Sequence, residues 1–436
     1  MPAALQTLAW ALAPTWLMDG CARRLGDAFT LTFAPSGLKL VLISDPEAVK
    51  TVFTAPAEIA PSGAANSPVA PVMGPSSVIV LTGPEHMRQR KLLLPPFHGE
   101  RMREYEDVIV EATRKNMASW QLGSRMRLQE HTRQITLEVI LRAVFGVEAE
   151  RMEPLKAAIG DLLAPMHALT VLLIAMRRPT GERPDGAIGR ALDRFDELLY
   201  KEIAARRAQS DLGERRDILS LLMQARDEDG MEMTDGELRD ELVTLLLAGH
   251  ETTSTSVSWA LERLVRHPQK LERLMAEIDA GESDEYMTAV INETLRVRPV
   301  VPIVARILTE DLQVGRFDLP AGTRVVPCIY LTNRNPSVYQ APAEFRPERF
   351  LGDGPETFSW IPFGGGIRRC IGASFAQLEM KLMLRTMLAE YRPSAPRGWR
   401  TRIGTGGRRG EWVRRRAITL VPGAGALLVW ERRGAA

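Results

Sequence analysis

The sequence predicts a mainly α-helical protein with a small β-rich region, and two patterns carry that prediction. Apolar residues recur at three- and four-residue spacing through most of residues 84–298 and again over 370–388, which is typical of helices that bury one face. Short strand-like segments occur near residues 25–55 and 300–335 and in the C-terminal tail. Because no internal repeat or clear linker divides the sequence, we expect one domain over residues 1–436.

The first part of the chain mixes strands and helices. Residues 29–33 and 39–43 are predicted to be strands, and Asp45-Pro46 is expected to begin a helix that ends near Phe53. The stretch 55–75 is rich in Pro, Ser, Ala and Gly and predicts a long loop, a kind of segment that often binds ligands. Amphipathic helices are then expected over residues 86–94, 101–120, 128–145 and 189–207.

The longest predicted helix starts after Thr234, because Thr234 and Glu237 have the spacing of a capping box. It ends before Pro268, and about thirty residues at about 1.5 Å each make a rod about 45 Å long. Its centre, residues 248–255, contains several weak helix formers beside Glu251. An acid in the middle of a buried helix requires a structural or chemical reason.

The remainder of the chain alternates between the two kinds of element. We expect helices over 270–280, 285–296 and 370–388, and strands over 304–308, 312–314, 324–331, 418–421 and 426–430.

Composition excludes several classes of protein. Lys and Arg number 56 and Asp and Glu 54, so a general nucleic-acid-binding surface is not expected. The three cysteines Cys21, Cys328 and Cys370 are far apart, which excludes a disulfide scaffold and a Cys-x-x-Cys zinc site and favours a cytoplasmic protein. Residues 2–18 are apolar but short and lack a basic leader, so we expect a helix packed on the protein, with no signal peptide and no firm membrane anchor.

The segment Phe363-Gly-Gly-Gly-Ile-Arg-Arg-Cys-Ile-Gly372 carries the strongest chemical signal. Its glycines allow the backbone to pass close to a flat or bulky group, and Cys370 precedes a predicted helix whose N-terminus favours a thiolate. Since no zinc ligands lie nearby, the pattern favours a metal centre with a single thiolate ligand, and haem is the natural candidate. The alternative is a structural cysteine after a glycine turn.

The segment Ala248-Gly-His-Glu-Thr-Thr253 lies at the centre of the long helix. A buried acid beside a hydroxyl can relay protons through ordered water, and Gly249 and Thr252 are expected to open a groove in the helix. The alternative is a polar kink without chemistry. A zinc-protease His-Glu-x-x-His motif is excluded because Ser254 stands at its last position, and His250 is expected to be packed.

Both segments resemble signatures of the cytochrome P450 superfamily, and the resemblance covers nearly the whole chain. It implies the P450 fold, with haem b between the long helix and the helix that follows the cysteine. It assigns Cys370 as the iron ligand and places Phe363, Gly364, Gly372 and Ala248 against the haem. It further implies that Thr252 hydrogen-bonds bound oxygen and that Glu251 supplies protons.

The resemblance gives roles to other charged residues. It predicts a Glu293–Arg296–Arg349 cluster that holds the coil leading to the cysteine and acts in folding rather than catalysis. It also predicts haem-propionate contacts from four basic residues, namely His86, Arg90, Arg306 and Arg368. Propionates buried in a protein need such partners.

The implied activity is insertion of one atom of O2 into an apolar organic substrate, by hydroxylation or epoxidation. The length leaves no room for a redox domain, so a ferredoxin and its reductase, or an equivalent flavoprotein, are expected to donate electrons. A basic surface for that donor is expected from five residues: Arg88, Lys91, Arg101, Arg103 and Arg369. Substrate is expected to touch residues 60–80, 247–252 and 300–304.

Three alternatives remain open at the level of sequence. They are a peroxide-driven enzyme of the same fold, a haem-thiolate protein that only binds gases or ligands, and a scaffold without haem. A glycine-rich stretch at 404–410 resembles a phosphate loop but lacks the Gly-Lys-Ser/Thr ending, so a hairpin tip is expected there.

Overall fold

The computed structural model describes residues 1–66, 69–99, 101–146, 153–163, 184, 186–396 and 410–434. Helices dominate these residues, as the sequence predicts. In chain order they are α1 Ala3–Leu12, α2 Pro14–Leu25, α3 Pro46–Thr54, α4 Gly63–Asn66, α5 Ala70–Met73, α6 Gly83–Leu93, α7 Arg101–Glu104, α8 Glu106–Met117, α9 Leu128–Phe145, α10 Glu153–Leu163, α11 Gly186–Arg207, α12 Ile218–Gln224, α13 Asp235–Val265, α14 Pro268–Ala280, α15 Glu285–Val297, α16 Ile329–Thr332 and α17 Ala373–Glu390.

The strands form small sheets from distant parts of the chain. They are β1 Ala28–Phe33, β2 Leu38–Ile43, β3 Arg125–Arg127, β4 Arg306–Ile307, β5 Leu312–Val314, β6 Phe317–Leu319, β7 Arg324–Pro327, β8 Tyr391–Ser394, β9 Val413–Arg416, β10 Thr419–Pro422 and β11 Leu427–Arg432. The largest sheet has the order β1-β2-β7-β4, in which β2 and β7 run parallel. Arg306 of β4 lies opposite Val325 of β7, and β7 separates β4 from the N-terminal hairpin.

Helix α13 runs through the core and packs along α9, α11 and α17. Its start is fixed by the predicted capping box: the Glu237 N–H donates to Thr234 Oγ1 at 3.2 Å, and the Thr234 N–H donates to Glu237 Oε2 at 2.8 Å. Most of its 31 residues are buried. The prediction of a long helix that crosses the molecule is confirmed.

Several predicted boundaries are wrong for identifiable reasons. The strand expected over 324–331 ends at Pro327, because the chain turns into α16, and the strand expected over 304–308 is reduced to Arg306–Ile307. The expected loop 55–75 contains the short helices α4 and α5. The glycine-rich stretch lies outside the described residues except for Gly410.

The apolar N-terminus is helical and packs on the protein, as predicted, but it forms two helices, α1 and the start of α2, because the chain breaks at Ala13 before Pro14. The Thr32 N–H donates to Gln6 Oε1 at 2.8 Å, and the Ala34 N–H donates to Thr7 Oγ1 at 2.9 Å. Within the part of the chain that the structure describes, no helix combines the length and the apolarity needed to cross a membrane.

Candidate functional site

Cys370 lies in the loop between the short 3₁₀ helix Gly366–Arg368 and α17. Its backbone N–H donates to the carbonyl oxygen of Phe363 at 2.9 Å, and the Phe363 ring packs edge-to-face on Trp360 with centroids 6.2 Å apart. Helix α17 begins at Ala373, not at Cys370 as predicted. The local stabilisation of the sulfur is therefore one backbone hydrogen bond from Gly372, not a full helix N-terminus.

Two of the glycines before the cysteine, Gly365 and Gly366, pack against the chain itself. Gly366 has φ 63°, and a Cβ there would lie 2.0 Å from the carbonyl oxygen of Phe53 on α3. A Cβ on Gly365 would lie 2.4 Å from Cδ2 of the same Phe53 ring. The group that approaches these two glycines is therefore α3 of the chain itself, and the contact fixes the loop against the N-terminal part of the protein.

The Cys370 side chain is solvent-accessible, although burial raises the pKa of its thiol. A side chain can be accessible to solvent and still be surrounded by protein when it lines an internal cleft instead of the outer surface. The Gly372 hydrogen bond and the charges of Arg90 and Arg369 oppose the rise in pKa. Cys370 thus presents its sulfur to a cleft that a ligand can enter.

The four predicted propionate ligands cluster beside this cleft. Burial is the largest cause that lowers the pKa of His86 to about 4, and the charges of Arg368, Arg90 and Arg306 follow. Burial, then Arg306 and Arg90, lower the pKa of Arg368 to about 10. Among the residues that the structure describes, no ion pair involves any of the four, and His86 Nδ1 is buried without a hydrogen-bond partner. The cluster therefore has an excess of positive charge.

Two of these arginines are held by the main chain. Arg368 donates to the carbonyl oxygen of Val78 at 2.8 Å and to that of Leu81, which attaches it to the loop before α6. Arg306 donates to the carbonyl oxygen of Ala305 at 2.9 Å, and burial lowers its pKa to about 10. Their orientation thus leaves both guanidinium charges without a carboxylate in the described part of the chain.

The centre of α13 has one accessible face. Ala248 is exposed and Thr252 is half-buried in an otherwise buried stretch, and the Thr252 hydroxyl donates to the Ala248 carbonyl oxygen at 2.7 Å. Gly249 faces elsewhere, since a Cβ there would lie 3.2 Å from Cδ1 of Ile140 on α9. Gly249 therefore permits helix packing and does not open the predicted groove, while Ala248 and Thr252 form the accessible face.

Glu251 points away from that face. Its Oε1 lies 3.0 Å from Nη2 of Arg133 on α9, and its Oε2 lies 3.7 Å from Nη1 of Arg416 on β9. Burial raises the pKa of Glu251, and the attraction of Arg133 opposes that rise. The structure thus places Glu251 and Thr252 side by side in sequence but on different faces, and sequence analysis missed both arginine partners.

Two buried groups flank this segment. His250 is packed as predicted: its Nδ1 lies 3.1 Å from the Thr136 hydroxyl, and burial lowers its pKa to about 4. Glu379 of α17 was not predicted. It is buried, forms a hydrogen bond with Thr253, and has its pKa raised to about 8 by desolvation.

The Glu293–Arg296 pair is present and fully buried. Arg296 Nε and Nη2 donate to the two carboxylate oxygens of Glu293 at 2.6 and 2.8 Å, and Arg349 Nε lies 3.6 Å from Glu293 Oε1. The Arg346 N–H donates to the same oxygen at 2.7 Å. Arg296 further donates to three backbone carbonyl oxygens, those of Asn333, Pro342 and Glu344.

Asn333 is a further anchor of this coil. It is completely buried, and its Oδ1 accepts a hydrogen bond from the Ile361 N–H at 3.0 Å. The Asn333 carbonyl oxygen also accepts a hydrogen bond from Arg296. Asn333 therefore connects the buried ion pair to the coil segment that leads from Ile361 to Phe363.

The expected donor-binding surface needs a correction. Arg88 is held by Asp227 and Glu237 through hydrogen bonds of 2.5 Å each, and Lys91 lies 2.5 Å from Glu228. These two cations are neutralised within the chain, because α6 packs beside the loop before α13. Arg103 and Arg369 remain exposed.

Comparison with known proteins identifies the family. The cytochrome P450 family matches residues 9–402. The chain belongs to this family. A putative cytochrome P450 137 of Mycobacterium tuberculosis is 42% identical over 371 residues, covering 84% of this chain and 77% of the relative. A putative cytochrome P450 135B1 of Mycobacterium bovis is 40% identical over 415 residues, covering 94% and 85%.

Solved P450 structures share the fold. Cyanobacterial CYP120A1, solved with retinoic acid bound, superimposes with a TM-score of 0.83 at 24% identity and covers 98% of this chain and 96% of that one. The haem domain of cytochrome P450DA also has a TM-score of 0.83 at 24% identity, with 98% and 95% coverage. The predicted P450 fold is thereby confirmed.

P450 proteins bind haem through a cysteine thiolate and are in general monooxygenases. The cleft residues of this chain fit such a group. An accessible sulfur suits an iron ligand, and a partly buried cluster of bases that forms no ion pair within the described part of the chain suits a group that carries two carboxylates.

Proposed function

We propose that this chain is a haem-thiolate monooxygenase that inserts one atom of O2 into an apolar organic substrate, by hydroxylation or epoxidation. The overall conversion takes a substrate C–H bond or double bond, O2, two electrons and two protons to the oxygenated product and water. The observation that carries the proposal is the pairing of an accessible Cys370 with two other features: the cluster of His86, Arg90, Arg306 and Arg368, which has no ion-pair partner among the described residues, and the accessible Thr252 face of α13.

Haem b, when bound, supplies the redox chemistry that activates O2. Cys370 would hold the iron, and His86, Arg90, Arg306 and Arg368 would hold the propionates. The Val78 and Leu81 carbonyl oxygens fix Arg368, so this arginine also connects the cofactor region to a loop in the stretch expected to contact substrate.

Two residues of α13, Thr252 and Glu251, would deliver protons to the cleft. The Thr252 hydroxyl donates to the Ala248 carbonyl oxygen and can rotate to donate into the cleft instead. Glu251 is withheld from the cleft by Arg133 and Arg416, so we infer that it delivers protons after its contact with Arg133 loosens.

The Thr252→Ala variant tests this function. We expect NADH and O2 consumption to continue while the oxygenated product falls at least tenfold and hydrogen peroxide rises. Ser256→Ala is the matched control, because the Ser256 hydroxyl lies one turn on, donates to the Thr252 carbonyl oxygen at 2.9 Å and belongs to a buried side chain. Equal product yields from wild type and Thr252→Ala would contradict the proposed proton role.

The same assay separates the alternatives. A peroxide-driven enzyme gives faster turnover with hydrogen peroxide than with reductase and is insensitive to Thr252→Ala. A protein that only binds ligands gives no product with either oxidant. A protein that purifies without a Soret band contradicts haem binding altogether.

We propose that electrons come from a ferredoxin and its reductase, with the ferredoxin bound through Arg103 and Arg369, which are exposed near α8 and the cysteine loop. Reversing both charges should slow the first reduction and reduce its dependence on salt. The control is Arg316→Glu, an exposed arginine in the turn between β5 and β6. Unchanged reduction in the double variant would contradict this docking surface.

A further inference from the structure

A second cavity, of about 310 Å³, lies away from Cys370, where the end of α13, the start of α14 and the end of α15 meet the coil at residues 343–346. Its lining is strongly basic. Among the residues that the structure describes, the lining holds one carboxylate, Glu344, and five Lys or Arg side chains: Arg263, Lys270, Arg298, Arg334 and Arg346.

Three of these cations have carboxylate partners within the chain. The pairs are Arg263 Nε with Glu262 at 2.6 Å, Lys270 with Glu348 at 2.9 Å, and Arg346 with Glu344 at 3.1 Å. The single carboxylate of the lining is thus already engaged by one arginine at the rim.

Arg298 and Arg334 form no close ion pair in the described part of the chain, and carboxylates attract them only at longer range, Glu262 acting on Arg298 and Asp19 and Glu293 on Arg334. Arg298 donates to the Val297 carbonyl oxygen at 3.1 Å and lies over the Trp259 ring at 5.0 Å, while its Nε is buried without a partner. Arg334 donates to the carbonyl oxygens of Val297 and Tyr330 and lies over the Tyr330 ring at 4.0 Å. Burial and neighbouring guanidinium charges lower the pKa of Arg298 to about 9.

We propose that this cavity binds a small phosphoryl anion, either inorganic or the phosphate of an ester. Two adjacent guanidinium groups that form no close ion pair in the described part of the chain leave N–H donors for an added anion, and the fork of donors on each group matches phosphate oxygens. The volume equals about ten water molecules at about 30 Å³ each, which is enough for a group the size of pyrophosphate. Residues 397–409, which precede Gly410 beside Arg263, contain five arginines and no acid and so cannot supply the missing charge.

Binding there bears on the stability of the site. The cavity wall at residues 343–346 is the coil held by the buried ion pair, since Arg296 donates to the Glu344 carbonyl oxygen at 2.9 Å and the Arg346 N–H donates to Glu293 at 2.7 Å. An anion that joins Arg298 to this coil therefore favours the folded arrangement of the chain before Cys370.

The test is calorimetric titration of the purified haem-loaded protein with inorganic phosphate, pyrophosphate and ADP at constant ionic strength. We expect saturable binding, in which pyrophosphate and ADP bind more tightly than inorganic phosphate. We also expect bound ligand to raise the thermal unfolding midpoint. Tighter binding of pyrophosphate than of ADP indicates an inorganic anion, equal affinities indicate that the shared diphosphate group alone is recognised, and tighter ADP binding indicates a phosphate ester. No saturation by any of the three up to about 10 mM would overturn the proposal.

Variants separate the cavity from general charge effects. Arg298→Gln should weaken pyrophosphate binding at least tenfold, and Arg316→Gln, on the exposed β5–β6 turn, should leave it unchanged. Glu344→Gln should tighten binding several-fold, a gain that misfolding cannot produce. If Arg298→Gln does not fold, the Glu344→Gln result decides: unchanged or weaker binding overturns the proposal.

Discussion

Replacing Glu293 by Gln removes one charge from the most completely buried ion pair near the site. Both Glu293 and Arg296 have fully buried side chains. The carboxylate accepts from Arg296 Nε at 2.6 Å, from Arg296 Nη2 at 2.8 Å and from the Arg346 N–H at 2.7 Å. Glutamine keeps the volume, but its NH2 group must face one of these donors, so at least one hydrogen bond is lost and Arg296 remains charged.

The expected cost follows from this geometry. Loss of a hydrogen bond to a charged group costs about 1.5–3 kcal/mol, and breaking a buried ion pair from one side costs about 3–5 kcal/mol in total. We therefore expect Glu293→Gln to lower the free energy of unfolding by about 3–5 kcal/mol. At about 1.4 kcal/mol per factor of ten, the unfolded fraction rises at least a hundredfold.

Urea unfolding of the haem-loaded protein, followed by tryptophan fluorescence and Soret absorbance, measures this change. Glu285→Gln is the matched control, because Glu285 lies at the exposed start of the same helix and its loss should change the free energy by less than about 0.5 kcal/mol. A Glu293→Gln protein within 1 kcal/mol of wild type, with unchanged haem content, would refute the argument that this buried pair holds the coil before Cys370.

Two further predictions concern Arg368 beside the cleft and Glu379 on α17. Arg368→Gln should release haem at least tenfold faster to apomyoglobin, because it removes a propionate partner and two hydrogen bonds to the loop before α6, whereas Arg316→Gln should release haem at the wild-type rate. The buried Glu379 has its pKa raised from 4.5 to about 8, so the folded state keeps a proton that the unfolded state loses. Its contribution is fully present below pH 4.5 and is lost as the pH rises towards 8; wild type should therefore lose stability over this range, and Glu379→Gln should lose less. Equal haem release in the first case, or equal pH slopes in the second, would contradict these assignments.

Local sequence patterns were sufficient for the features that depend on a few neighbouring residues. The capping box at Thr234 fixes the start of α13 by hydrogen bonds within four residues, and the pair Glu293 and Arg296 lies on one turn of α15. Hydrophobic spacing likewise gave most helices to within a few residues. These features are predictable because their partners are close in sequence.

Features that depend on distant partners were missed or misassigned. Glu251 meets Arg133 across 118 residues, and this contact turns the acid away from the cleft. Gly366 is small because Phe53 of α3 touches it, and Gly249 because Ile140 of α9 does. The sequence indicates that small or acidic residues at these positions have a specific role. Only the packing of α3, α9 and α13 shows which neighbouring side chain requires them.

The difference spectrum of the reduced protein with carbon monoxide tests the central claim most directly, because that spectrum reports which kind of protein side chain would ligate the haem iron. We predict the shifted Soret band of a thiolate-bound haem in the wild-type protein and its loss in Cys370→Ser. Cys328→Ser, which alters a buried cysteine in the β-rich region, should retain the band. A wild-type protein without this band, or a Cys370→Ser protein that keeps it, would contradict the assignment of Cys370 as the iron ligand.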